Sequence, residues 1–238
     1  MTSSATPPPD RPPAPPTPPG APGAPGAPGT PGAPGLPPAG PPAAPRSGRQ
    51  EARRREILRA ATELARAGGY DAVQMREVAE SAGVALGTLY RYFPSKIHLL
   101  VAVLQDQLRL LHATVRENPP RERGAGARVA AALMRAFHAM QDEPHLASAM
   151  VRALTAADRS VSAEVDTVLA STTGIVLEAM GSREPVPPAA LSAVRVIEHT
   201  WFSLLIAWLS GRATIATVRT DLATVCRLAD APPGAGEN

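Results

Sequence analysis

The sequence predicts an all-α protein carried behind an unstructured leader. Two observations point there. From about Arg49 onward, apolar residues recur three or four positions apart through most of the chain, and no stretch alternates convincingly with period two. Glycine and proline fall between the periodic stretches, where helices are expected to stop.

The leader comes first. Residues 1–47 hold 19 of the 28 prolines, no aromatic residue, and Leu36 as their only large aliphatic. Such a segment cannot bury enough apolar surface to offset the entropy of ordering it. Glycine recurs every third residue from Gly20 to Gly35. Collagen shares that period, but a few triplets with nothing to trimerise them favour an extended, polyproline-like tail.

The helices then follow in order. Ile57, Ala61, Leu64 and Ala65 share one face of a first helix that should end at Gly68-Gly69. A second is expected at 75–82, with Met75, Val78, Ala79 and Ala82 inward, and Gly83 breaks it. A third covers about 86–92. Pro94-Ser95 stops the chain and caps a fourth helix, in which Ile97, Val101, Leu104, Leu108 and Leu111 keep helical spacing. Further helices are expected at about 126–142, 144–156, 160–180, 187–211 and 214–229. Eight or nine helices result. The organisation expected is a tail over 1–47 followed by two helical units, over 51–111 and 112–230.

Charge and cysteine narrow the function. The formal net charge is +3, and residues 46–96 alone hold ten Arg/Lys against six Asp/Glu. A basic excess confined to one stretch suggests a polyanionic partner. Cys226 is the only cysteine, which excludes an intramolecular disulfide and fits a reducing cytosol. The N-terminus has no charged start followed by an apolar run, so no secretory signal is expected. The most apolar run, Trp201 to Leu209, is too short to cross a bilayer, which takes about 20 residues. A cytoplasmic protein without a membrane partner is the expectation.

The stretch 74–93 has the form of a helix-turn-helix. Such a unit needs a small residue where its helices cross, a turn glycine able to take positive φ, and an apolar anchor on the second helix. Ala79, Gly83, Val84 and Leu89 meet those needs in spacing. Thr88, Tyr90, Arg91 and Tyr92 then form an outward polar face. The second helix is short, so few side chains can reach bases and phosphate contacts must fix its register.

The run from Gly69 through Ala79, then Ala82-Gly83-Val84, then Gly87-Thr88-Leu89-Tyr90-Arg91-Tyr92-Phe93-Pro94-Ser95-Lys96, resembles the N-terminal domain of the TetR family of bacterial repressors. That resemblance implies a homodimer held by the last two helices, a variable ligand pocket in the C-terminal part, and a short palindromic operator as double-stranded DNA partner. It implies base-edge or nearby phosphate contacts at Arg76 and Thr88, and phosphate contacts at Tyr90, Tyr92 and Lys96. Leu86 and Gly87 stand where the recognition helix opens to the groove, and Arg91 and Gln74 flank these positions. Gln74 and Ala85 replace the hydroxyl residues that usually cap helices two and three, at about 1 kcal/mol each. The chain has 23 Arg and a single Lys, and that lysine, Lys96, occupies a phosphate slot. Ala72 through Val103, the Glu164-Val165-Asp166 region, and Arg195-Val196-Ile197 leading to Leu209 also resemble the actinobacterial branch of the family that represses sterol catabolism. That branch implies no cofactor, but a small-molecule effector: a sterol-derived CoA thioester, with a fatty acyl-CoA as the alternative.

Other features admit two readings each. The arginines of 46–55 suit a DNA-binding arm or a solvated leader to helix one. Trp201 through Leu209 is apolar nearly all round and should be buried as core and dimer interface, or in part as a pocket wall. Leu104, Met134, Phe137, Met140, Trp201 and Leu205 are the candidate effector-pocket residues, with core packing the alternative. The five histidines show no convincing metal-ligand spacing, and Glu198-His199 are adjacent and share no helix face, so an enzyme is not expected. A sequence-tolerant nucleoid-binding protein is the competing class, and a regulator of efflux or fatty-acid metabolism the competing member of the same class.

Overall fold

The computed structural model describes residues 48–182 and 185–230. The tail expected over residues 1–47 lies outside them. Among the described residues nine α-helices form: α1 Gly48–Ala72, α2 Met75–Ser81, α3 Leu86–Tyr92, α4 Lys96–Glu117, α5 Ala125–Asp142, α6 Pro144–Thr155, α7 Ser162–Met180, α8 Pro188–Leu209 and α9 Ile215–Cys226. Short 3-10 turns precede α7 at Arg159–Val161 and follow α9 at Arg227–Asp230. Among the described residues there is no strand. The all-α expectation therefore holds.

The helix ends sit where the punctuation placed them. Gly68 and Gly69 leave helical φ/ψ inside α1, so the regular helix stops there and a single turn continues to Ala72. Gly83 takes a φ of 61°, which a residue with a Cβ rarely adopts, and lets the chain turn from α2 into α3. Ser95 caps α4, its Oγ accepting from the His98 amide. Gln74 and Ala85 stand at the N-caps of α2 and α3, and neither side chain caps its helix. Gln74 instead donates from Nε2 to the Asp71 carbonyl at 2.8 Å.

Two apolar clusters organise the helices. The first joins α1, α2, α3 and the first half of α4 around Ile57, Val78, Leu89, Leu99 and Val103, all fully buried. The second joins α5, α7, α8 and α9 around Phe137, Ile175, Ile197 and Leu222. The buried face of α6, Leu146, Ala149, Met150 and Ala153, packs into the first cluster although α6 follows α5 in sequence. Polar contacts reinforce that docking. Arg66 on α1 pairs with Glu143 at 2.9 Å, and His145 Nδ1 lies 3.3 Å from the Arg66 carbonyl oxygen. At the far end, α5 meets α9 closely: a Cβ at Gly126 would collide with the Cys226 carbonyl oxygen. The Gly126 amide donates to Asp230 Oδ1 at 2.8 Å there.

Helix α8 bears on two sequence expectations. The Trp201–Leu209 stretch is only partly buried in this chain. Trp201, Leu204 and Leu205 are buried, while Phe202, Ile206, Trp208 and Leu209 are half-buried and Ser203 is exposed. An α-helix cannot turn all its faces onto one neighbouring layer. The apolar run also belongs to a 22-residue helix that is long and apolar enough, by length and composition alone, to cross a membrane. Here Val194, Ile197, Trp201, Leu204 and Leu205 on that helix pack into the second cluster.

Candidate DNA interface and internal cavity

The interface is built on α2 and α3. Val78, Ala79 and Leu89 are buried and hold the two helices to α1 and α4. Anchoring those positions forces the intervening ones outward. Gln74, Arg76, Gly87, Tyr90 and Arg91 are exposed, Tyr90 at 45 %. Thr88, Tyr92 and Lys96 are half-buried. Leu86 is half-buried as well, and like Tyr92 it packs in part against the first cluster. Around Gly87 no atom lies within 4 Å of where a Cβ would be, so the protein itself does not demand a glycine there. Tyr92 Oη reaches the Gln50 carbonyl at a long 3.5 Å, beside the start of α1.

Arg54 sits over the Phe93 ring, 5.7 Å from its centroid. Arg54 lies within α1, so this arginine of the 46–55 stretch is part of the head's own surface. His98 ties the head to the rest of the protein. Its Nε2 lies 3.2 Å from the Ser160 carbonyl oxygen and its Nδ1 2.9 Å from Ser95 Oγ. A carbonyl can only accept, so Nε2 carries a proton and donates. In the neutral ring Nδ1 then accepts from the Ser95 hydroxyl.

Behind the head lies a cavity of about 470 Å³, within the size range of small-molecule sites. Helices α4 to α8 all contribute. Leu104 and Leu108, Met140, Met150, Val151 and Leu154, and Val165, Val168 and Leu169 make its apolar walls, closed by Trp201, Phe202 and Leu205. A smaller annex of about 150 Å³ shares Leu104, Leu108, Met140 and Met150 and adds Leu111 and Ala147.

The polar lining is confined to two facing helices: Thr172 and Thr173 on α7, and Arg195, Glu198 and His199 on α8. Thr173 Oγ1 donates to Glu198 Oε1 at 2.7 Å across the cavity wall. Burial pushes the Glu198 carboxyl above its ordinary range, and the Thr173 hydrogen bond, His199 and Arg195 oppose that rise. A carboxyl so placed can accept from a ligand hydroxyl when ionised, or donate to a ligand carbonyl when protonated.

Of the six candidate pocket residues, Leu104, Met140, Trp201 and Leu205 line the cavity. Phe137 and Met134 do not. Phe137 is fully buried, edge-on to Trp201 at 6.3 Å and to Trp208 at 5.0 Å between ring centroids, and Met134 packs in the same core cluster. Helix α5 turns that face toward α8 and α9, and only Met140, near its end, reaches the cavity. The polar lining escaped sequence reasoning. Glu198 and His199 are neighbours about 100° apart around the helix, but this cavity is wide enough to take both. The usable signal was Arg195, Glu198, His199 and Phe202, spaced i, i+3, i+4, i+7 within an apolar helix.

Cys226 is buried between α5 and α9, and burial pushes its thiol up to about 12. It is a core side chain and not a nucleophile at neutral pH. Among the described residues, no three His, Cys, Asp or Glu side chains gather as metal ligands.

This geometry has relatives. Residues 57–103 match the model of bacterial regulatory proteins of the tetR family, and residues 124–229 match that of a tetracyclin repressor-like C-terminal domain. The HTH-type transcriptional repressor KstR of Rhodococcus jostii is 44% identical over 176 residues, covering 74% of this chain and 82% of the relative. A crystal structure of a TetR transcriptional regulator from Rhodococcus sp. RHA1 superposes with a TM-score of 0.71 at 35% identity, covering 76% of this chain and 97% of that one. The fold is also that of Thermus thermophilus FadR, a repressor solved with lauroyl-CoA, with a TM-score of 0.58 at 20% identity over 77% of this chain and 100% of that one. The chain belongs to the TetR family of bacterial transcriptional regulators.

Proposed function

We propose that the protein is a dimeric, sequence-specific repressor released from its operator by a small apolar or acyl-CoA effector, and that it controls genes of sterol breakdown. The observation that carries this reading is the shared helix α4. It starts at Lys96 beside the reading head, and its Leu104 and Leu108 line the 470 Å³ cavity. A ligand in that cavity bears on the helix that fixes the head.

The DNA-binding domain is taken as 51–111 and the effector and dimerisation domain as 112–230. Arg76 and Thr88 read base edges or nearby phosphates. Tyr90, Tyr92 and Lys96 hold phosphates, with Arg91 and Gln74 at the margin. Gly87, with open space where a side chain would be, lets the backbone come close to the duplex. Dimerisation uses α8 and α9, supported by the exposed Leu191, Val196 and Ile215 and the half-buried Ile206 and Leu209 on those helices. The effector body fills the apolar cavity, and Thr173 and Glu198 offer hydrogen bonds to an oxygen on it. The sterol assignment draws on the likeness to the Rhodococcus repressor.

The direct test is salt-controlled competition between a selected palindrome and random DNA, followed by release with sterol-CoA and fatty acyl-CoA thioesters. Strong preference for one palindrome and release by the sterol compounds is the expected result. Equal affinity for all sequences points to a nucleoid protein, and release by fatty acyl-CoA alone moves the target genes to fatty-acid metabolism. Because binding is reciprocal, operator DNA must weaken effector binding by the same factor.

A further inference from the structure

Four residues meet where the head touches α6. Lys96 Nζ lies 4.0 Å from the centroid of the Tyr70 ring, and the Arg152 guanidinium carbon lies 4.3 Å from the same centroid. Arg152 Nη1 donates to Asp71 Oδ2 at 2.9 Å. Two cations thus share one ring and one carboxylate. The carboxylate is spent on Arg152, which leaves the Lys96 charge without an ion pair among the described residues. Burial lowers the Lys96 pKa, Asp71 attracts the ammonium and opposes that fall, and Arg152 repels it. Asp71 is therefore near enough to act on either cation.

Exposed ion pairs, and cation–π contacts still in reach of water, are individually weak, so the cluster adds little to stability. Weak contacts that compete are suited to exchange. The position of Arg152 gives that exchange a direction. It stands on α6 between Val151 and Leu154, and both of these, with Met150, line the cavity.

We propose that Tyr70 and Arg152 are positioning residues for the DNA contact of Lys96: the Tyr70 ring holds the ammonium in place, and Arg152 keeps Asp71 occupied so that Lys96 stays available to a phosphate. A ligand that shifts α6 draws Arg152 away from Asp71. The freed carboxylate then captures Lys96 and the phosphate contact is lost. This route joins cavity to DNA through α6 and the end of α1, and it requires no displacement of α4. It rests on the reading of Lys96 as a phosphate contact.

The test needs neither operator nor effector. Salt dependence of binding is measured for the full chain on a random-sequence duplex of about 30 base pairs, where each phosphate contact adds about 0.9 to the slope. Lys96→Ala should lower the slope by about 0.9 for each bound protomer. Arg152→Gln should lower it as well, because Asp71 now takes Lys96, and the double variant Arg152→Gln/Asp71→Asn should restore it. Tyr70→Phe should keep the wild-type slope and Tyr70→Leu should lose it. Lys96 is the only lysine in 238 residues, so lysine-selective labelling gives one side-chain NMR signal. Its ε-methylene protons should be shifted upfield by the ring in the wild type and in Tyr70→Phe, and not in Tyr70→Leu. An unchanged slope in Lys96→Ala overturns the phosphate reading and this inference with it. A slope lowered by Lys96→Ala but not by Arg152→Gln, or not restored by Asp71→Asn, overturns this inference alone. A lysine signal without the ring shift does the same.

Discussion

The reading head and the cavity differ in how far their parts lie apart along the chain. From Val78 to Phe93, one short stretch supplies the buried anchors Val78, Ala79, Leu89 and Phe93 and the exposed face between them. The cavity draws on five helices, from Leu104 on α4 to Leu205 on α8. The head is a local unit, and in the proposed dimer it must stay rigid, because two such heads would have to meet successive grooves. The cavity is made where long helices fail to fill the space between them. It has room to respond to an occupant, and α6 belongs to both regions, packing in the core of the head while lining the cavity.

Leu89→Ala should break the head most. Leu89 is fully buried, and losing such a side chain costs about 2–5 kcal/mol. Urea denaturation should show that loss together with failure to bind any DNA. If the head unfolds alone while the body persists, two transitions will replace one.

Arg76→Ala should act on reading and not on folding. Arg76 is exposed, so the denaturation midpoint should hardly move. Discrimination between the preferred palindrome and a single-base variant should fall by about 1–3 kcal/mol if Arg76 contacts a base edge. An equal weakening on all sequences would move Arg76 to the phosphate contacts.

Glu198→Gln separates the cavity from the head. The raised pKa means that the folded state holds the Glu198 proton more tightly than the unfolded chain does. Across the window from the ordinary glutamate value, about 4.3, up to the raised one, stability attributable to this group falls as pH rises. Glu198→Gln should remove that component from a pH series of unfolding free energies and leave DNA binding in the absence of effector intact. A ligand that hydrogen-bonds Glu198 should bind the variant more weakly.

The smallest effect is expected at Cys226. With its thiol pushed up to about 12 and buried, it should resist alkylation in the folded protein and react only on unfolding. Rapid labelling of the native chain would mean that the α5–α9 contact opens readily.

The helices were legible because their signals are local. Gly68-Gly69, Gly83, Pro94-Ser95 and Pro144 punctuate the chain at the positions where helices end or start, since each acts on its own φ/ψ or on its nearest amides. The missing caps at Gln74 and Ala85 could be read the same way. The cavity was legible only in part. Leu104, Met140, Trp201 and Leu205 carry the same apolar character as Phe137 and Met134, and the first four line the space while the other two fill the core. Nothing in a helical period says which of two apolar neighbours a face will meet.

From the sequence alone came the all-α class, the order of the helices, the turn at Gly83 and the polar face that follows it. Periodicity, backbone freedom and charge act over one or two turns and need no partner to be read. The tertiary structure alone decided that α6 docks on the head, that Glu198 meets Thr173 across a cavity wall, and that Lys96 and Arg152 share Tyr70. Those pairs lie 25 to 82 residues apart. Their meeting depends on how whole helices cross, which packing volume settles and local propensity does not.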